Sequence, residues 1–390
     1  MKKTVKLNDI LSITRGASPR PISNYITNES DGVNWIKIGD VDPNSFFITH
    51  TEEKITKEGA KKSRYVKEGD FILSNSMSFG RPYILKINGC VHDGWLILSD
   101  YENYVTSSYL YYLLRSPIVQ NQFDGSANGA TVRNLNSDIV RKVSVSIHTD
   151  KTEQQKIAAH LDSIQSAIDN KKQQLQQLDE LVKSKFVEMF GENPVESGKW
   201  KVETLGNVAE IGSSKRIFAS EYVSEGVPFY RSKEIIELSK KLKPSVELFI
   251  SEERYNEIKE KNGVPERGDI LMTAVGTIGK FWEVDTDNPF YYKDGNLVYI
   301  RCKSFNSTYF KYCLENLVEE FKQKNIVGSA YSALTIDRLK QMIIPVVDIN
   351  LQNTFAEYVQ KIDSAKSIIK TQLNDLNELL ESKTDFYFGE

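Results

Sequence analysis

Residues 175–192 read LQQLDELVKSKFVEMFGE, and residues 373–390 read LNDLNELLESKTDFYFGE. The two stretches coincide under a shift of 198 residues (373 minus 175), and Phe-Gly-Glu closes each of them. That shift is about half of the 390 residues. Repeats of solenoid proteins have periods of only about 20–50 residues, so this chain instead contains a duplicated domain with its helix.

The repeat continues outside these stretches as a collinear series of shared residues. The series includes the turns Gly69-Asp70 and Gly268-Asp269, the pairs Gly80-Arg81 and Gly279-Lys280, the turns Asp93-Gly94 and Asp294-Gly295, and the tyrosines Tyr109 and Tyr309. Matches are sparse where loops are expected, for instance at residues 16–20 against 212–216, because loops tolerate change. Two modules with one framework and different loops are predicted to recognise two different things in the same manner.

Two long helices are predicted around the repeated stretches. Their apolar residues recur at alternating spacings of four and three, which is the pattern of a coiled coil. The predicted seam consists of Ile157, Leu161, Ile164, Leu175, Leu178 and Val182 in the first helix, and Phe355, Val359, Ile362, Leu373, Leu376 and Leu380 in the second. Each helix of about 35 residues would be about 50 Å long and needs a partner for its apolar face. We expect the two helices to pair antiparallel within one chain; a coiled coil between two chains is the alternative.

The segments between the helices are predicted to be mixed α/β modules. Short β-branched or aromatic runs bounded by Gly or Asp occur at residues 35–38, 71–73 and 95–98, and again at 270–272 and 297–300, as is typical of strands. Short helices are expected over Ser107–Arg115 and Ser307–Val318. The predicted fold class is α+β, with two similar modules, two long helices and an internal pseudo-two-fold. The predicted divisions are residues 1–150 (module 1), 151–192 (central helix), 193–348 (module 2) and 349–390 (C-terminal helix).

Composition is that of a globular protein, with 40% hydrophobic and 26% charged residues. No apolar run approaches the roughly 20 residues of a membrane span. Cys90, Cys302 and Cys313 are expected to be buried, reduced thiols of a cytoplasmic protein, and the four histidines form no metal-ligand spacing, so no metal is predicted. The net charge of −3 favours an ordinary solvated surface, so any contact with nucleic acid would depend on local basic loops.

With these features the whole chain resembles the specificity subunit of type I restriction–modification systems. The resemblance is most specific at residues 152–157 (TEQQKI), at the Gly-Asp turns of Gly69 and Gly268, and at residues 276–280 (GTIGK). The chain departs from the family pattern in two places. The usual prolines before the central Glu-Gln pair are replaced by residues 148–150 (HTD), and the C-terminal copy of that motif is reduced to residues 350–353 (NLQN).

The resemblance implies that each module is a target-recognition domain that reads one half of a split, asymmetric DNA site. The helices would set the separation of the two halves and dock two adenine-methyltransferase subunits. Nuclease-translocase subunits could join that complex. S-adenosylmethionine, ATP and Mg²⁺ are then expected on the partner subunits, and no cofactor is expected in this chain.

Residues expected to contact DNA are polar or basic and lie near glycine turns. Arg and Lys suit guanine edges and phosphates, while Asn, Ser and Thr suit adenine edges and phosphate oxygens. The candidates are Arg15, Arg20, Asn75, Ser78, Arg81 and Arg133 in module 1, and Lys215, Arg216, Thr273, Thr277, Lys280 and Tyr331 in module 2. For any one of them, an ordinary turn with a solvated side chain is the competing interpretation.

Two other functions remain open at this point. A fused restriction or methyltransferase enzyme would need a glycine-rich cofactor loop and an Asn/Asp-Pro-Pro-aromatic motif; residues 287–290 (DNPF) lack one proline and fit a loop better. The other alternative is a coiled-coil scaffold that joins two proteins and does not bind DNA. The sequence favours a non-catalytic binding subunit that directs catalysis by its partners.

Overall fold

A computed structural model describes residues 1–42, 45–75, 79–127, 135–324, 326–327, 330–331 and 334–389. Its contacts divide the chain into two compact units, unit 1 (Met1–Gln174 with Ile369–Glu390) and unit 2 (Leu175–Ile368). Each unit therefore combines one module with part of both long helices. In the described ranges, no helix has the length and apolar character needed to span a lipid bilayer.

Module 1 and the first long helix contain the following elements. The strands are β1 (Lys2–Lys6), β2 (Ser12–Arg15), β3 (Ile26–Thr27), β4 (Val33–Ile36), β5 (Phe47–Ile48), β6 (Glu53–Ile55), β7 (Arg64–Val66), β8 (Phe71–Ser74), β9 (Pro82–Leu85), β10 (Gly89–Val91), β11 (Trp95–Ser99) and β12 (Ser144–His148). The helices are α1 (Lys57–Lys61), α2 (Ser107–Arg115), α3 (Pro117–Ala127), α4 (Ser137–Lys142) and α5 (Lys151–Phe190).

Module 2 and the second long helix repeat this arrangement with local changes. The strands are β13 (Lys201–Thr204), β14 (Glu210–Gly212), β15 (Tyr222–Val223), β16 (Val227–Tyr230), β17 (Phe249–Ile250), β18 (Ile270–Thr273), β19 (Phe281–Glu283), β20 (Tyr291–Tyr292), β21 (Leu297–Arg301), β22 (Ile326–Val327), β23 (Ala330–Tyr331) and β24 (Ile343–Val346). The helices are α6 (Leu205–Val208), α7 (Ser232–Ser239), α8 (Glu252–Asn262), α9 (Ser307–Lys324), α10 (Ile336–Gln341) and α11 (Ile349–Phe388).

The sheets of the two modules follow the same plan. In module 1 one sheet has the order β2-β11-β8-β9-β5 and the other has β3-β6-β4-β10-β7, with β4 and β10 parallel. In module 2 the corresponding orders are β14-β21-β18-β19 and β15-β17-β16-β20, with β16 and β20 parallel. Pairs β1–β12 and β13–β24 join the two ends of each module. The predicted fold class and internal duplication are confirmed.

Strand β8 is buried on both of its faces, which explains its continuous apolar run. Phe71 and Leu73 pack into the core that includes α2, whereas Ile72, between them, packs with Ile36 and Trp95 against the second sheet. This is the period-two alternation of a strand between two apolar layers. This packing fixes the central sheet of module 1, and it also fixes the strand ends from which the loops emerge.

The duplicated Gly-Asp turns have a structural role. Gly69 and Gly268 adopt φ values of +93° and +89°, a conformation that favours glycine. The following carboxylates accept hydrogen bonds from backbone N–H groups three residues earlier, from Lys67 to Asp70 at 2.8 Å and from Glu266 to Asp269 at 2.7 Å. These contacts close the turn that enters strands β8 and β18.

A buried glutamine explains the Glu-Gln motif at the start of α5. Gln154 accepts a hydrogen bond from the backbone N–H of Thr106 at 2.8 Å and donates one to the carbonyl of His148 at 2.7 Å. Gln352 makes the matching contacts in unit 2, with Asn306 N–H and the carbonyl of Val347, both at 2.8 Å. The glutamine is thus the part of the weakened C-terminal motif that ties the helix to the module.

The long helices are 40 residues each, or about 60 Å, and pair antiparallel within the chain as predicted. In unit 1, His160 of α5 hydrogen-bonds Tyr387 of α11 at 2.7 Å. In unit 2, Phe186 of α5 packs on Phe355 of α11, with ring centroids 5.5 Å apart. The early part of each helix therefore contacts the late part of the other.

The predicted seam residues are not equally buried. Ile157, Leu161, Ile164, Val182, Phe355 and Val359 are buried, while Leu175, Leu178, Ile362, Leu373, Leu376 and Leu380 are half-buried. Phe186 and Phe190 are also buried on α5, and the sequence pattern missed them because Lys185 interrupts it. Phe186 lies four residues after Val182, and Phe190 four residues after Phe186, so the apolar face continues past the lysine.

Three local expectations differ from the structure. The strand predicted at 35–38 ends two residues early, because β4 stops at Ile36 and a short turn of helix begins at Ile38. Helix α9 continues to Lys324, beyond the predicted end at Val318. Cys302 is half-buried, with its thiol against the carbonyl of Val208, whereas Cys90 and Cys313 are buried as expected.

Candidate nucleic-acid interface

One end of each central sheet gathers several loops, among them residues 16–20 and 212–216, which match poorly between the modules. In module 1 the register pairs Arg15 with Leu96 and Ser74 with Trp95, so the loops after β2 and β8 and before β11 meet there. In module 2 the equivalent strand ends are Gly212, Thr273 and Leu297. Antiparallel pairing thus brings together loops that are up to about 80 residues apart in sequence.

In module 1 these loops converge on Asp93, and we call Arg15, Ser18, Arg20, Asn75 and Asp93 the Asp93 cluster. The carboxylate accepts hydrogen bonds from the Ser18 hydroxyl at 2.7 Å and from Arg20 Nη2 at 3.0 Å. Its backbone carbonyl accepts from Arg15 Nε at 3.0 Å and from Asn75 Nδ2 at 3.1 Å. The Ser18 hydrogen bond, with help from Arg20, lowers the pKa of Asp93, so the carboxylate stays charged and orients Arg20.

In module 2 the corresponding centre is Asp294, and we call Ser213, Arg216, Asp294 and Gly295 the Asp294 cluster. Arg216 Nε donates to Asp294 Oδ2 at 2.9 Å, which repeats the Arg20–Asp93 pair. Gly295 N–H donates to Ser213 Oγ at 3.3 Å. The backbone N–H of the exposed Lys215 donates to the Tyr291 hydroxyl at 2.6 Å.

Exposed Lys293, directly before Asp294, was missed as a candidate by the sequence reasoning. Its position in the duplicated Asp-Gly turn was the signal that could have found it.

The hairpin between β18 and β19 contains both buried residues that shape the turn and residues that are exposed to solvent. Thr273 is fully buried; its hydroxyl donates to the carbonyl of Thr277 at 2.5 Å and accepts from Lys280 N–H at 3.0 Å. Thr277 and Lys280 are exposed on the same turn. Thr273 therefore shapes the turn, while its neighbours remain available for a ligand.

In module 1, Asn75 is likewise 5% exposed and serves to connect loops. Arg81 is half-buried, with its guanidinium 5.3 Å from the centroid of the Tyr83 ring. Ser78 and Arg133 lie outside the described residues, and only the backbone of Tyr331 is described. The candidates that the structure gathers at the loop ends are thus Arg15, Arg20, Asn75 and Arg81 in one module, and Lys215, Arg216, Thr273, Thr277 and Lys280 in the other.

His92, the residue before Asp93, faces two backbone donors. Gly94 N–H approaches Nδ1 at 2.7 Å and Ile38 N–H approaches Nε2 at 3.3 Å. The neutral ring accepts one of these hydrogen bonds through its unprotonated nitrogen, whereas a protonated ring would carry N–H groups at both positions and could accept neither. Burial lowers the pKa of His92, and the nearby charges of Asp93 and Asp40, which act in the opposite direction, do not outweigh it.

We predict that unit 1 loses stability as the pH falls below about 6.5, the usual pKa of histidine. Because the pKa is lower in the folded chain, the folded state binds fewer protons, and the stabilisation is complete above pH 6.5 and declines below it. His92→Asn keeps an acceptor for Gly94 N–H and removes the titration. Thermal unfolding between pH 7.5 and 5.5 should show a smaller drop for the variant than for the wild type. Equal drops would contradict the prediction; His148 is present in both proteins and cancels in the comparison.

Among the described residues, no group of three or more His, Cys, Asp or Glu side chains is arranged to hold a metal ion. The Asp93 cluster and the Asp294 cluster each contain arginine, serine and a single carboxylate. Such a surface can bind phosphates and base edges by hydrogen bonds.

Comparison with known proteins finds the same family in both halves of the chain. The profile described as "Type I restriction modification DNA specificity domain" matches residues 2–180 and 197–378. A putative type I restriction enzyme specificity subunit of Haemophilus influenzae is 28% identical over 188 residues, 48% of this chain and 46% of that protein. The type I restriction enzyme MjaIX specificity subunit of Methanocaldococcus jannaschii is 26% identical over 253 residues, 59% of this chain and 57% of that protein. The matches thus span about half the length of these relatives.

Two solved structures share the fold. A chain from a study of complex assembly and conformational transition of the type I R-M system has a TM-score of 0.62 at 16% identity, covering 98% of this chain and 96% of that chain. The type I restriction-modification S subunit from M. genitalium has a TM-score of 0.52 at 15% identity, covering 100% and 96%. With the family profile matching both modules, this chain belongs to the family of type I restriction–modification DNA specificity subunits.

Proposed function

We propose that this chain is a non-catalytic subunit that reads an asymmetric bipartite DNA site, one half with each module. The observation that carries the proposal is the repeated Arg–Asp pair, Arg20–Asp93 and Arg216–Asp294, at the loop end of each central sheet. The pair is common to both modules, whereas its neighbours differ. A shared frame would place each module on the duplex in the same way, and the differing neighbours would select different bases.

The exposed cations at these loops suit the edges and backbone of a duplex. Arg15 donates a hydrogen bond from its Nε to the backbone carbonyl of Asp93. This contact fixes the direction of its guanidinium group. Arg216 is also held through its Nε, which donates to the carboxylate of Asp294. An oriented guanidinium can form the bidentate contact with guanine O6 and N7 that is common in protein–DNA complexes.

The long helices would set the spacing of the half-sites and dock two adenine-methyltransferase subunits. Half-sites one duplex turn apart lie about 34–36 Å from centre to centre, of the same order as a helix of about 60 Å. The repeat also leaves an identical apolar residue exposed on each helix, Leu181 at 48% and Leu379 at 41%. Each follows an exposed glutamate, so the two helices offer two copies of one surface to two copies of one partner.

The same proposal assigns the chemistry to the partners. S-adenosylmethionine would be bound by the methyltransferase subunits, and ATP and Mg²⁺ by any nuclease-translocase subunit. The complex would act on DNA in the cytoplasm.

Single-molecule sequencing of DNA from cells that express the chain with and without its cognate methyltransferase tests the proposal. We expect N6-methyladenine at a split motif only when both proteins are present. Methylation by this chain alone would instead indicate a fused enzyme. No methylation in either case, with a methyltransferase that is active beside another specificity subunit, would favour a scaffold.

Arg81→Ala and Lys280→Ala are each expected to weaken binding of the full complex to all sequences about equally. Each substitution removes a cation suited to phosphate, and loss of one such contact lowers the salt slope of binding by about 1. Fluorescence anisotropy at several salt concentrations measures both effects. Lys303→Ala is the matched control, because this exposed lysine follows the opposite end of β21. Unchanged binding and methylation in both variants would remove these residues from the interface.

A further inference from the structure

The repeated Arg–Asp pair is followed in each module by an apolar side chain two residues later. These residues are Ile22 after Arg20 and Phe218 after Arg216. Ile22 is the first residue of a short 3-10 turn, Ile22–Asn24, and Phe218 directly precedes another, Ala219–Glu221. The duplication therefore extends from the charged pair to an apolar neighbour, and the side chain differs between the modules.

Ile22 borders an open recess of about 700 Å³ beside the Asp93 cluster. Apolar groups of Pro19, Pro21, Ile22 and Trp35 line it. Trp35 is only 3% exposed, so it forms a rigid floor. The rim is polar and carries Arg20, Lys37 and Asp93.

Phe218 occupies the equivalent place in module 2 and projects outward. It is 60% exposed, although phenylalanine is among the residues most often buried. Its backbone N–H donates to Glu221 Oε2 at 2.7 Å, which fixes the segment that carries the ring. Exposed Lys215 lies on the same loop as Arg216 and Phe218.

An apolar surface set among arginines and lysines fits a specific part of DNA. The surrounding cations complement the phosphate backbone. Among the groups that base pairs present in the major groove, the thymine C5-methyl is the apolar one, and it is read by apolar side chains such as Phe. A protein partner would have to match both the apolar centre and the charged rim, which also carries Asp93.

We propose that Ile22 and Phe218 each contact a pyrimidine C5-methyl group, so that each half-site contains a thymine recognised through its methyl. This inference rests on the function proposed above and specifies what the two modules read. In module 1 the methyl enters the recess over Trp35. In module 2 it packs against the face of an exposed ring.

Replacing single thymines by deoxyuridine tests the inference, because the change removes only the methyl group. The probe is a duplex with the split motif found by methylation sequencing, and the protein is the full chain in complex with its methyltransferase. We expect one such replacement in each half-site to weaken binding by about three- to tenfold, as burial of one methyl group implies. In Ile22→Ala the effect should vanish in one half-site and persist in the other; Phe218→Ala should show the reverse.

Each variant is the matched control of the other, since both retain their Arg–Asp pair. Ile22→Val, which keeps a shorter apolar side chain, replaces Ile22→Ala if the alanine variant fails to fold. The inference would be overturned by a half-site without thymine. It would also be overturned by deoxyuridine effects that are absent, or that are the same in wild type and variants. In either case, specific binding of the motif would leave the proposed function intact. Absence of any specifically bound split motif would instead overturn the proposed function.

Discussion

Phe190→Ala is expected to destabilise unit 2 by about 3–5 kcal/mol, the usual cost of emptying a large aromatic site in a core. The Phe190 ring is fully buried, and its centroid lies 4.8 Å from Tyr309 and 5.6 Å from Phe355. The substitution therefore removes a central part of the contact between the end of α5 and module 2, of which Phe186 keeps the remainder. Hydrogen exchange should increase in peptides from α9 and from the start of α11.

Phe388→Ala is the symmetry control, because Phe388 is the repeat partner and packs on Tyr109 at 5.1 Å. We expect faster exchange in unit 1, in peptides from α2, and little change in unit 2. Val187→Ala on an exposed face of α5 should change stability by no more than about 0.5 kcal/mol. Loosening of unit 2 by Phe388→Ala would contradict the assignment of each Phe-Gly-Glu stretch to its unit.

Arg301→Met is expected to have a comparable effect, about 3–5 kcal/mol, because it leaves an uncompensated charge in the interior. Arg301 donates to both carboxylate oxygens of Asp269, with Nε to Oδ1 at 2.9 Å and Nη2 to Oδ2 at 2.6 Å. The Asp269 side chain is only 5% exposed. Urea unfolding followed in unit 2 measures the loss.

Addition of Asp269→Asn should restore part of that stability, since an amide is neutral and can still accept the hydrogen bond from Glu266 N–H. Arg267→Ala removes an exposed ion pair with Asp287 and should have little effect. Module 1 has Asp70 in the place of Asp269, but the register puts Ser99 where Arg301 stands. Burial there raises the pKa of Asp70. A double variant as unstable as Arg301→Met alone would show that packing, and not the charge, accounts for the loss.

The sequence predicted the framework well because the repeat provides each observation twice. Helix α2 has the predicted bounds, the strands at 71–73 and 270–272 lie in equivalent sheets, and the two helices pair as expected. Phe186 was missed, since a seam interrupted by Lys185 resembles an ordinary break in the apolar pattern. The extension of α9 was missed as well, because residues 319–324 (EEFKQK) carry only one apolar side chain, Phe321, and such a stretch is consistent with either a loop or a solvated helix.

The candidate site was less accessible to sequence reasoning. The pattern indicated polar residues near glycines but could not separate Thr273 and Asn75, whose side chains are buried and hold loops together, from exposed Lys280. It also gave no reason to connect residue 20 with residue 93, since that contact depends on the register between β2 and β11. Side-chain burial and the convergence of loops depend on the tertiary structure, and the spacing of residues in one sequence does not predict them.

The division of both helices between the units has a consequence for synthesis on the ribosome. Tyr109 is covered by Phe388, and Lys2 donates a hydrogen bond to the carbonyl of Gly389 at 2.8 Å. At about 5–20 residues per second, translation of the intervening stretch takes roughly 15–55 s. During that interval the aromatic surface of the nascent amino-terminal module lacks its native cover. The surface that binds α11 therefore stays uncovered while module 2 is synthesised.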